Sequence, residues 1–193
     1  MIDSINRIIE HRLQDVYTAL PATILTYDPV TQLATVQPTV GHLEDPLPIV
    51  VDVPVQQFGG DFWSIDIQVD PSEEGMLLFS KCSLDDWISV GGAAPLIDDD
   101  SYEFSLTDAV FIRGFRSKPK ALKNSTNVGV TISNPSQSTS IHLTDDGISI
   151  VGNLTVDGNI TGSAVATSAG VDLGTHVHTV THGSSSGDTT PPK

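Results

Sequence analysis

Between Ile148 and Ile160 the chain repeats itself every six residues. Ile148, Leu154 and Ile160 are spaced six apart, Ile150 and Val156 follow the same interval, and Gly152-Asn153 recurs as Gly158-Asn159. Such a hexad reads as a strand followed by a Gly-Asn turn, with two apolar residues per unit on one face and polar groups on the other. A single short ladder of this kind buries too little surface to fold by itself, so its apolar face must be covered. Three copies wound about an axis would bury Ile141, Leu143, Ile148, Ile150, Leu154, Val156 and Ile160 against one another and remove open strand edges. Composition alone would also allow a flexible Ser/Thr/Gly-rich tail, but the regular apolar positions argue against it.

The remainder of the chain reads differently. Ile2, Ile5, Ile8, Ile9, Leu13 and Val16 fall near helical spacing, which predicts a short amphipathic helix over 3–18 with Pro21 as its stop. From Ala22 the pattern turns to strands: Thr23–Tyr27, a turn at Asp28–Thr31, Leu33–Gln37, Ile49–Gln56, Phe62–Val69, Met76–Ser80 and Ala109–Gly114. Short strands so closely spaced predict a small barrel or sandwich. An acidic loop, Ile97–Ser101, and a basic cluster from Arg113 to Lys123 follow, and the cluster marks a boundary. The reading is therefore a mostly β chain with four parts: helix 1–20, barrel 21–123, repetitive stem 124–174 and apex 175–193.

Charge excludes one class of function. The formal net charge is −15 with only 9 Lys and Arg, none of them between Lys123 and Lys193, and phosphate binding needs clustered cations. Nucleic acid is thus not an expected partner. Cys82 is the only cysteine, which rules out an intrachain disulfide or a CxxC site; it is expected to be a buried, small apolar residue. A signal peptide and a membrane-spanning apolar run are both missing from the sequence, so a soluble protein folded in a reducing cytosol is expected. No GxSxG, HExxH or Walker loop occurs, and the pairs Glu73-Glu74 and Asp85-Asp86 read as solvated charge, so the chain is not expected to be an enzyme. The aromatic residues, Phe58, Phe62, Trp63, Phe79, Trp87, Tyr102, Phe104 and Phe111 among them, lie in the first part, as barrel core or subunit contact.

The candidate chemical site is His176-Val177-His178. In an extended strand residues i and i+2 share a side, so each chain presents two imidazoles. Taken alone this is a weak motif, more readily read as two surface histidines without a metal. At the end of a threefold repeat it becomes six nitrogens about one axial point, an octahedral arrangement. Structural zinc prefers four ligands, so divalent iron, cobalt or nickel suits such a cage better. His182, four residues on, is not counted as a ligand.

The sequence resembles the central spike proteins of contractile-tailed phages of the Mu type. The resemblance runs through Ala19–Ile24, Ala34–Pro38, Asp52–Val55, Phe79-Ser80, Leu84–Trp87 and Leu106–Val110, and again through the histidine pair with its Gly/Ser/Thr/Pro-rich terminus. It implies an OB-like antiparallel barrel forming a trimeric collar on the baseplate hub or tail tube, then an intertwined trimeric β-helix or β-prism. It also implies one iron ion per trimer on His176 and His178. The implied role is that of a virion protein at the tip of the contractile tail, assembled in the host cytoplasm, which crosses the outer membrane transiently when the sheath contracts. The sequence departs from that pattern in Thr179–His182, where a Gly-containing turn is expected. The other reading kept open is a trimeric receptor-binding fibre or spike that recognises a surface glycan.

Overall fold

A computed structural model describes residues 2–14, 16–41, 46–60, 62–92, 104–123, 125, 127–162, 177, 179–182 and 185–188. The chain forms two compact units, Met1–Lys123 and Asn124–Lys193.

The first unit opens with helix α1, Ile2–Gln14. It is shorter than the 3–18 predicted, because the chain is already non-helical at Val16 and the Tyr17 N–H donates to the Phe104 carbonyl at 3.1 Å. Pro21 is not its stop; it lies within strand β1 (Ala19–Asp28), opposite Met76. Strands β2 (Leu33–Pro38), β3 (Val50–Pro54), β4 (Phe58–Gly59), β5 (Ser64–Ile65), β6 (Glu74–Phe79) and β7 (Ala109–Arg113) follow. Helix α2, Asp85–Val90, falls between β6 and β7, where the sequence pattern shows no helical period; Asp85 and Asp86 form its first turn, where carboxylates suit the helix dipole.

Five strands make one antiparallel sheet in the order β3-β2-β1-β6-β7. The sheet curls into a half-barrel whose edges meet where Val55 bridges Phe111 and the Gln56 N–H donates to the Phe111 carbonyl at 2.9 Å. Alternation decides what goes inside. Ala22 and Ile24 of β1, Ala34 and Val36 of β2, Val50 and Val53 of β3, Leu77 and Phe79 of β6, and Ala109 and Phe111 of β7 are buried, with Val55 at the seam. A register shift between Ile24 and Thr26 leaves Leu25 exposed and keeps the inward set in phase on both sides of the bulge. Gly75 is required by the core: a Cβ there would run into the Phe111 ring and the Ile112 carbonyl.

The predicted strand Phe62–Val69 is not formed. Only Ser64-Ile65 pairs, with Phe58-Gly59, as a hairpin fragment separate from the five-stranded sheet. Residues 66–70 are instead tied down by Arg113, whose Nη atoms donate to the Ile67 and Gln68 carbonyls at 2.8 and 2.7 Å.

The second unit begins with an antiparallel meander, β8 (Val130–Ser133), β9 (Ser140–Thr144) and β10 (Gly147–Val151). A hairpin of β11 (Thr179–His182) and β12 (Ser185–Asp188) follows later in the chain. Of the hexad segment only Gly147–Val151 is paired as a strand; 152–162 carry no ladder within one chain. The glycines that punctuate the repeat do have turn-like backbones, with φ of 112° at Gly152 and 151° at Gly158. The acidic loop 97–101 lies outside the described residues.

Candidate functional site

Register turns the alternation of the second unit into a surface. Val130 pairs with Leu143 and Leu143 with Ile148; Ile132 pairs with Ile141 and Ile141 with Ile150. Directly paired residues point to the same side of a sheet. One face of the meander therefore carries two apolar rows, Val130-Leu143-Ile148 and Ile132-Ile141-Ile150. All six side chains are between 38% and 69% exposed. The opposite face holds Thr131, His142 and Ser149, with the His142 Nε2 at 2.9 Å from the Val128 carbonyl. Leu154, Val156 and Ile160 are exposed as well, and no described residue of this unit is buried. Val130 and Ile132 precede the hexad and share no period with it; only strand pairing brings them onto the same face.

The predicted metal ligands His176 and His178 lie outside the described residues; Val177 between them is exposed. His178 directly precedes β11, whose register sets Thr179 opposite Asp188 and His182 opposite Ser185. Where a turn was expected, Thr179–His182 is therefore a strand. Among the described residues no cluster of three or more His, Cys, Asp or Glu side chains is placed to hold a metal. The donor set of the triplet itself is chemically coherent: two imidazoles per chain, with no thiolate or carboxylate, suit a borderline divalent ion such as iron.

The first unit offers a second surface. Phe79 and Phe111 are buried and the Tyr17 ring packs against Phe79 at a 44° tilt with centroids 5.5 Å apart, so these aromatics belong to the core. Phe62 and Trp63 are 95% and 88% exposed beside the β4-β5 hairpin, and Phe58, Ile65 and Trp87 are exposed too. Cys82 is exposed, not buried: it follows β6 in the turn to α2, its N–H directed at the Ser80 hydroxyl at 3.2 Å.

The acidic pair Glu73-Glu74 is also more than solvated charge. Arg113 grips Glu73 in a two-pronged ion pair, Nε to Oε1 at 2.8 Å and Nη2 to Oε2 at 2.9 Å. Glu74 accepts from the Ser117 N–H at 2.7 Å and the Ser117 hydroxyl at 2.9 Å, and Lys120 Nζ donates to the Ser72 carbonyl at 2.9 Å. The Ser117 N–H and hydroxyl, helped by Lys120, hold the Glu74 carboxyl below its ordinary pKa. These contacts fasten the segment leaving β7 back onto the start of β6. Sequence hinted at this only through the basic cluster after Arg113. In the same unit burial, with Asp66 adding to it, pushes the Tyr27 phenol up.

Comparison with known proteins gives the class of this first unit. Residues 20–114 match the family described as phage protein Gp138 N-terminal domain. The matched segment starts in β1 and stops just after β7, so it is coextensive with the half-barrel and takes in just under half of the chain. The similarity supports a bacteriophage structural protein, a component of the virion associated with the tail. A search of curated proteins gave no match.

Proposed function

We propose that the chain is the central spike of a contractile phage-type tail, a homotrimer that pierces the host outer membrane when the sheath contracts. The observation that carries this reading is the order of its two units. A domain similar to a phage protein domain is followed by a β unit whose apolar face one chain leaves bare. These six Val, Ile and Leu side chains are already partly covered, so closing the face contributes about half of the ~1.5–3 kcal/mol each that burial from full exposure gives. Two further copies, winding the hexads into a β-helix or β-prism, provide that cover and pair the strand edges at once. The half-barrel then acts as an OB-like collar seated on the hub or tail tube.

His176 and His178 of three chains would supply six imidazole nitrogens to one iron ion on the axis. The ion's contribution is coordinate bonding that holds three chain ends together. The histidines must be neutral to bind, so protons compete with the metal below the ordinary histidine pKa. The work is mechanical: a narrow closed tip concentrates force. The strong negative charge disfavours adhesion to anionic lipopolysaccharide during passage.

Native mass measurement with elemental analysis tests the reading. The expected particle is a trimer with iron at about one ion per three chains, and the His176→Ala/His178→Ala variant is a trimer without it. A monomer, or an unmodified trimer free of transition metal, overturns the proposed tip.

A further inference from the structure

Every side chain of α1 from Ile2 to Leu13 is exposed, and the stripe Ile2, Ile5, Ile8, Ile9 and Leu13 is 50–76% exposed. Thirteen residues is about the length at which an isolated helix is marginal in water, and four of the thirteen are β-branched isoleucines, which lower helix propensity further. The helix therefore draws its stability from whatever covers that stripe. At 100° per residue, Ile2, Ile5, Ile9 and Leu13 fall within an arc of about 80°, with Ile8 on one flank. Asp3, Arg7 and Glu10 occupy the other side.

We propose that α1 packs against the α1 helices of two further copies of this chain as a short parallel three-helix bundle. The proposal rests on the threefold assembly argued above and adds an interface to it. Ile2, Ile5 and Ile9 are spaced three and four apart, the a-d-a pattern of a heptad, and isoleucine at both a and d favours three or more strands over two. In the same frame the next d position is Arg12, at the last turn of the helix, where its aliphatic stem lines the seam while the guanidinium reaches water, and Leu13 takes the adjoining e position. A membrane surface fits α1 poorly, because interfacial helices carry a polar face rich in Lys and Arg, whereas Asp3 and Glu10 here offset Arg7 and Arg12. The Tyr17–Phe104 backbone bond and the start of β1 at Ala19 anchor each helix within a few residues of its half-barrel. In a trimer this tether raises the local concentration of the helices and lets a short bundle form.

Thiol cross-linking of the full chain tests the bundle. In a Cys82→Ser background, Ile9→Cys on the stripe should be trapped as a covalent dimer of chains under mild oxidation. Arg7→Cys on the opposite side should not. The double variant Ile5→Asp/Ile9→Asp should lose the helical circular-dichroism signal of α1 while the particle keeps its trimer mass. A trimer in which Ile9→Cys cross-links no better than Arg7→Cys, or in which the double Asp variant keeps its helical signal, overturns the bundle and leaves the spike reading standing. A monomeric parent chain overturns both.

Discussion

The two units alternate apolar and polar residues equally well, yet among the described residues only one of them has an inside. In the half-barrel, curling brings the inward residues of five strands together, and Ile24, Val36, Leu77 and Phe111 are fully buried. In the meander three strands lie in register with an apolar face just as regular, and that face stays open. Strand number explains the difference. Five strands are enough to bend round and cover themselves, with Phe111 joining the two edges, whereas three strands make one layer, and a layer needs another to pack against. The uncovered amphipathic sheet is what the proposed trimer would close.

The sharpest way to break this comparison is to charge the open face. Ile141→Asp/Ile148→Asp should abolish the proposed trimer in analytical ultracentrifugation and leave the half-barrel folded. If the face were ordinary surface, the change would cost within about 0.5 kcal/mol and leave the mass unaltered. In the closed unit, Phe111→Ala removes the ring that spans the seam and should cost about 3–5 kcal/mol in denaturant unfolding of that unit. Gly75→Ala inserts one methyl group against the same ring and should cost about 1–3 kcal/mol by the same measurement.

The smallest effect belongs to the segment leaving β7. The Ser117 N–H and hydroxyl hold the Glu74 carboxyl below its ordinary pKa, so its hold on Ser117 is fully present above the ordinary value and is lost as pH falls through the lower folded one. Protection of the Ser117 amide from hydrogen exchange should be unchanged from pH 7 down to the ordinary glutamate pKa and fall only below it. Glu74→Gln should weaken that protection at every pH.

Much of the half-barrel was legible because inward and outward residues simply alternate, as in β2 and β6. The exceptions have physical causes. Phe62–Val69 has strand composition, yet Arg113 captures the Ile67 and Gln68 carbonyls and leaves Phe62 and Trp63 outside. Cys82 looks like core by residue type but falls in a turn. Helix α2 was hidden because six residues are too few to show a period.

What the sequence determined by itself was periodicity: which side chains share a face in α1, in the half-barrel strands and in the hexads. It also set the two imidazoles of His176 and His178 two residues apart. Only tertiary structure decided which of those faces one chain can close. The reason is that periodicity is local, while burial depends on how many strands meet; Val130 and Ile132 join the apolar face of the repeat solely because β8 pairs with β9.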